Sequence, residues 1–262
     1  MARRRRVKRI LNALPSQDQA QDWLLRHARE AGVHDAAAAV PARKDLRELW
    51  WKIGDQGETG SCVGWASADA VLRWHFVKAG LIAKTARLAP RFQWMAAKET
   101  DAFTTQPTTF IESDGTSPKA ALDIARKYGA VKDTVLPFAS GRLYPGDVKS
   151  FYATAAKLKI KSYFNLGVDL AAWKAWFATN GPILTRLDVD ATWDDATATK
   201  GNLDIYKPKT TRGGHAVAFV GYTPDRFIVR NSWGTTWGDK GFGYASSAYA
   251  QAAFTEAYGV AV

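Results

Sequence analysis

One cysteine, Cys62, occurs in the 262 residues, and that scarcity excludes any internal disulfide. Burial and hydrogen bonding must therefore hold the fold, which favours a reducing compartment. Long apolar runs are also missing, and no stretch approaches the roughly 20 residues a membrane-spanning helix needs. The segment Ile10-Leu11-Asn12-Ala13-Leu14-Pro15 is too short, and too broken by Asn and Pro, to be the apolar centre of a signal peptide. Four histidines and one cysteine make no cluster with ligand spacing, so neither a metal nor another cofactor is expected. Internal repeats are absent, and the only biased tract is a short alanine run. These absences point to a cytoplasmic protein with no membrane span, with signal-independent export left open.

The residues that are present describe a globular chain. Hydrophobic residues make up 47% and charged residues 23%, and the length suits one large domain or two halves sharing a cleft. The net charge of +11 is concentrated: Arg3, Arg4, Arg5, Arg6, Lys8 and Arg9 supply six charges within the first nine residues. The remaining +5 is spread too thinly to define a nucleic-acid surface, and no nucleic-acid motif is found. Such a block reads as a solvated tail whose natural contact is an acidic partner.

Periodicity outlines the elements. Ser16 and Gln19 suit a capping box for a helix over residues 16 to 31, stopped by Gly32. Residues 35 to 44, rich in alanine and holding Pro41, read as a linker, so residues 1–44 form a tail, an amphipathic helix and a linker, and residues 45–262 the main body. A long helix is predicted from Cys62 to Gly80, with further helices at Pro118 to Tyr128 and about Leu170 to Thr179. Strands are expected at Ile183 to Val189, His215 to Tyr222, Phe227 to Arg230 and Gly241 to Ala245. Helices first and strands later is an α+β order.

Three segments carry the chemistry. Cys62 closes Gln56-Gly57-Glu58-Thr59-Gly60-Ser61-Cys62; His215 lies 153 residues on, in Gly214-His215-Ala216-Val217; Asn231 follows 16 residues later, in Asn231-Ser232-Trp233-Gly234-Thr235-Thr236-Trp237-Gly238. A lone thiol, a histidine in an apolar strand and an asparagine in a turn are the inventory of a Cys-His-Asn nucleophilic site. A thiol at a helix amino terminus gains from the helix dipole, which favours the reactive thiolate.

In these residues the chain resembles the papain-like cysteine peptidases, of a disulfide-free, prokaryotic type with a short N-terminal extension. The resemblance implies an α+β fold of two lobes. A helical lobe carries the cysteine, and an antiparallel sheet or barrel lobe carries His and Asn. It implies Cys62 as nucleophile, His215 as base and acid, Asn231 orienting His215, and Gln56 as the oxyanion donor six positions before the thiol. It further implies that Trp233 covers the His–Asn bond, that Gly115 holds extended substrate, and that Ala216 and Arg186 border the second subsite, where a charged floor favours an acidic residue. The expected activity is cleavage of peptide or isopeptide bonds in a protein or peptide substrate through a thioester. A non-catalytic binding protein and an amidase or acyl transferase are the alternatives.

The chain departs from the family pattern at three points. Val63 stands where a tryptophan usually follows the nucleophile, Thr59 where a second cysteine often stands, and the long inhibitory prosegment is lacking. The segment before Asp45 is expected to dock across or beside the cleft as a short regulatory extension.

Overall fold

The computed structural model describes residues 9–102, 115–140 and 146–262. Its amino-terminal part departs most from expectation. In place of one helix over residues 16 to 31 there is a 3-10 turn at Gln19–Gln21 and a short helix α1, Leu25–Glu30. Ser16 caps no helix of its own segment: its N–H donates to Glu256 Oε1 at 2.8 Å, and its hydroxyl accepts from Lys119 N at 3.2 Å. Nor does Gln19 complete a capping box, since its amide donates to Ser16 O at 3.0 Å. The cause is competition from a sheet edge. Leu24 bridges Asn165 in parallel, and Asn165 N donates to Trp23 O at 2.7 Å, which holds residues 22 to 24 extended. Behind this, Ala28 is fully buried and His34 stacks on Trp176 at 5.9 Å, so residues 18 to 34 are built into the body.

After strand β1, Lys44–Asp45, the chain enters the helical lobe. Helix α2, Cys62–Gly64, runs without a break through a π-helical segment, Trp65–Leu72, into α3, Arg73–Lys78. The predicted long helix is therefore present, with a widened middle that the periodicity did not indicate. Helix α4, Pro90–Ala102, and helix α5, Pro118–Lys127, pack around it. Ser117 caps α5 by accepting from Ala120 N, Pro118 occupies its first turn, and Ala121, Leu122, Ile124 and Ala125 face inward. Helix α6, Val148–Ala155, closes this lobe.

The second lobe is a sheet. Its elements are β2 (Ser162–Asn165), α7 (Leu170–Thr179), β3 (Ile183–Val189), β4 (Asn202–Leu203), β5 (Gly213–Tyr222), β6 (Arg226–Arg230), β7 (Phe242–Ser246), α8 (Ser247–Ala253) and β8 (Phe254–Ala261). Among the described residues eight strands form one sheet in the order β2-β8-β3-β5-β6-β7-β4, with β1 on β5. All its pairings are antiparallel except β4 with β7. Strand β5 is buried from Gly214 to Tyr222, which explains its unbroken apolar run. The core beside it is aromatic: Phe219 lies 4.4 Å from Phe254, 5.1 Å from Phe227 and 5.2 Å from Trp173. No described helix is long and apolar enough to cross a membrane.

A charge cluster ties the lobes together. Asp69, in the π-helical segment, accepts from Arg87 at 2.6 Å and lies 3.5 Å from Arg73, both on its own lobe. Across the seam it accepts from Arg230, the last residue of β6, at 2.9 Å. Asp69, Arg73 and Arg230 are each at most 4% exposed in their side chains. Removing the one carboxylate would leave the buried Arg73 and Arg230 guanidinium groups without their anionic partner. Asp69→Ala is therefore expected to lower the unfolding free energy by about 3–5 kcal/mol, measured by urea titration. A loss below about 1 kcal/mol, the range of an exposed ion pair, would show that the lobes do not depend on it.

Candidate active site

The cleft between the lobes brings the three motifs together. Cys62 is the first residue of α2 and is fully buried. His215 lies in β5, opposite Leu187 of β3, and is also fully buried. Asn231 follows β6 directly, and its Oδ1 lies 2.9 Å from His215 Nε2. The same oxygen accepts from Ser232 N at 2.8 Å, so the carboxamide is held from two sides. The pairing of β5 with β6 makes this contact possible: with Ala218 opposite Arg230, the turn after β6 arrives beside His215.

Three tryptophans shield that bond. The Trp233 ring lies 4.8 Å from the His215 ring, and Trp193 meets His215 edge-on at 5.6 Å. Trp193 in turn stacks on Trp237 at 4.9 Å. Trp193 is held by its own N–H, which donates to Tyr249 OH at 2.9 Å, while Tyr249 donates to Asp190 Oδ1 at 2.6 Å. Sequence reasoning missed Trp193, because no local pattern separates it from a core tryptophan.

Gln56 is 1% exposed and doubly tied to the Asn231 turn. Its backbone N–H donates to Ser232 O at 2.8 Å, and its Oε1 accepts from the Ser232 hydroxyl at 2.8 Å. With the oxygen held, the amide nitrogen is left to face the loop before the cysteine, where it donates to Thr59 O at 3.0 Å. Ser232 thus orients Gln56, a role invisible in the linear motif although the serine stands inside it.

The cleft is filled by the protein's own amino-terminal segment. Arg9 donates to Asp55 Oδ1 at 2.7 Å, to Gly57 O at 2.9 Å and to Trp233 O at 3.2 Å. Asn12 bridges Gly214, Ala13 N donates to Gly214 O at 3.0 Å, and Leu14 N donates to Thr116 O at 3.1 Å. Glycine permits this approach: a Cβ on Gly115 would stand 1.7 Å from Asn12 O, and one on Gly60 2.5 Å from Asn12 Nδ2. Arg186, opposite Ala216 across β3 and β5, donates to Ala13 O at 2.9 Å. Its charge is not alone, since Asp188 lies 3.2 Å away and Glu256 is its partner across β8.

Burial sets the protonation of the pair. Desolvation pushes the Cys62 thiol up to about 11, although the Ala216 and Val63 N–H groups and Arg186 act the other way. Desolvation lowers His215 to about 4 against the help of Asn231, and Arg9 lowers it further. His215 Nδ1 has no hydrogen-bond partner. The expected thiolate favoured by the helix terminus is therefore not the form present with the cleft filled; loss of water outweighs the dipole.

A buried thiol beside a His–Asn pair, at the seam of a helical and a sheet lobe, defines a cysteine-dependent peptidase of two-lobed α+β architecture. The sequence profile of the papain family cysteine proteases matches residues 40–259. The chain belongs to that family and is a cysteine peptidase acting on protein or peptide substrates. It is 27% identical over 223 residues to cathepsin B-like CP2 of Giardia intestinalis, covering 78% of this chain and 68% of that one. To papain of Carica papaya it is 30% identical over 132 residues, 49% of this chain and 36% of papain. Among solved structures, xylellain, a cysteine protease from Xylella fastidiosa, superposes with a TM-score of 0.79 at 21% identity, covering 100% of this chain and 99% of that one. Procathepsin B S9 from Trypanosoma congolense gives 0.70 at 15% identity, covering 96% and 86%.

The low pKa of His215 has a sign. An imidazole kept neutral in the fold down to about 4 takes up a proton on unfolding below its ordinary 6.5. His215 thus withdraws stability as pH falls from 6.5 towards 4. An NMR titration of its ring is expected to give a midpoint near 4 with the cleft filled; a midpoint near 6.5 would mean that water reaches it.

Proposed function

We propose that Cys62 is the nucleophile of this peptidase, with His215 its base and then its acid. His215 takes the thiol proton, and the sulfur attacks the substrate carbonyl. The oxyanion that forms accepts from the Cys62 N–H and the Gln56 amide. Collapse breaks the C–N bond, His215 gives its proton to the leaving amine, and a thioester remains on Cys62. Water, deprotonated by His215, then releases the acid and the thiol. Asn231 orients the imidazole and Trp233 keeps water from their bond. The observation that carries this reading is the shielded 2.9 Å contact of His215 with Asn231 beside the chain's one thiol.

Cys62→Ala and His215→Ala are each expected to abolish hydrolysis of a generic peptide substrate without unfolding the protein. Asn231→Ala should retain residual activity, and Gln56→Ala should lower turnover by roughly 10²–10³. Normal cleavage by the Cys62→Ala protein would overturn the assignment.

In this reading residues 1–44 are a regulatory extension in two functional parts. Residues 18 to 34 anchor it to the sheet lobe, and residues 9 to 16 are a strap lying where substrate would lie. The strap runs from the Trp233 side, past Gly60 and Gly115, to Arg186 and Glu256. It uses two of the groups proposed for substrate: Gly115 and Arg186 border its path. Arg186 serves a main-chain carbonyl there, so its charge, shared with Asp188 and Glu256, favours an acidic side chain less than an isolated guanidinium would. The absence of disulfides supports a cytoplasmic location.

A chain shortened to begin at Gln17 removes the strap and keeps the anchor. It is expected to cleave a fluorogenic peptide faster, and its thiol should alkylate faster at neutral pH. Unchanged rates in a shortened protein of equal stability would leave the strap a structural role only.

A further inference from the structure

Behind Asn231, at the seam of the lobes, lies a cavity of about 10 Å³, room for one small sphere. Trp65, Asp69, Ala216, Arg230, Asn231 and Ser232 are among the residues that line it. Three of these carry four buried donors without partners: Arg230 Nε and Nη1, Asn231 Nδ2 and Trp65 Nε1. Arg230 and Asn231 are each only 3% exposed, so bulk water does not satisfy them. Of the polar oxygens nearby, Asp69 Oδ2 accepts from Arg230 Nη2 and Asp69 O accepts from Trp51 Nε1, while the Ser232 hydroxyl gives its hydrogen to Gln56 and keeps its lone pairs.

The charge points the same way as the hydrogen bonds. Asp69 is one carboxylate among Arg73, Arg87 and Arg230, and burial with two like neighbours lowers the Arg230 guanidinium to about 10. A water molecule could accept from two of the four donors and donate to Ser232 Oγ, which would leave two donors and the surplus positive charge unserved. A monatomic anion has no hydrogen to place, can accept from every donor that faces it, and offsets the surplus positive charge. So small a space favours a monatomic ion over phosphate, sulfate or a carboxylate.

We propose that this cavity is a buried halide site, with chloride as its ligand. The ion would take the Asn231 Nδ2 hydrogen and so hold the carboxamide with Oδ1 towards His215. Its charge would also favour the imidazolium that forms when Cys62 gives up its proton. The site makes no demand on which peptide is cut, and its test does not depend on turnover.

The full chain, exchanged into gluconate and then titrated with chloride or bromide at constant ionic strength, should show a thermal midpoint that rises with the halide. At about a hundred times the dissociation constant the rise should be roughly 5–10 °C. Crystals soaked in bromide should give an anomalous peak in contact with Arg230, Asn231 and Trp65. Trp65→Phe, which deletes one donor and keeps the ring against Phe138, should weaken the halide response by about tenfold. Arg230→Lys, the milder change at the charged end, should weaken it as well. Equal midpoints in chloride and gluconate would put a water in the cavity and overturn the proposal. A midpoint shift without a bromide peak at these residues would place the ion elsewhere and overturn it equally.

Discussion

Asp69 stands between the two lobes with three arginines around it, and the geometry of the cleft follows from where it holds them. The carboxylate belongs to the helix that begins at Cys62, while Arg230 immediately precedes Asn231. One buried ion pair therefore links, through rigid elements, the helix bearing the thiol to the strand end that delivers the asparagine. The cost of burying these charges is high and their net contribution to stability small. A seam packed only by apolar side chains could slide without leaving any group unpaired, whereas a shift here would part buried charges from their partners.

On that seam two kinds of contact divide the work. The His215–Asn231 contact and the Gln56–Ser232 contact are both made by the turn after β6, so a single turn sets the imidazole and the carboxamide across from it. Trp233, Trp193 and Trp237 then exclude water from that turn, which strengthens short polar contacts that solvent would weaken. The amino-terminal segment, close against Gly60 and Gly214, adds to the burial around the site. With water gone, both members of the pair lie on their neutral side, Cys62 raised and His215 lowered. The same burial that preserves the site's geometry thus suppresses its ionisation, and in the proposed reading departure of the strap would reverse the balance.

The motifs were legible because their residue types are rare. A lone cysteine after a glycine-rich loop, and an asparagine followed by two spaced tryptophans, seldom arise from packing needs alone. Strands β3 and β5 to β7 were readable from apolar runs bounded by turns. The helix expected at residues 16 to 31 was not what formed, although its periodicity was sound. The edge strand β2 offered Trp23 and Leu24 backbone partners that a helix would have denied them. Strands β2 and β8 were unread because each takes its meaning from a neighbour distant in sequence.

What the sequence determined by itself is the chemistry: which side chains can react, their order, and a two-lobed α+β body able to oppose them. Tertiary structure alone decided what surrounds them. Trp193 over the imidazole, Ser232 on Gln56, Glu256 and Arg186 holding the strap, and the unpartnered donors behind Asn231 come from segments up to 240 residues apart. Local composition records what a residue can do. Burial and pairing across the fold decide which charge state and which partner it has, since both depend on the exclusion of water by residues that no local pattern brings together.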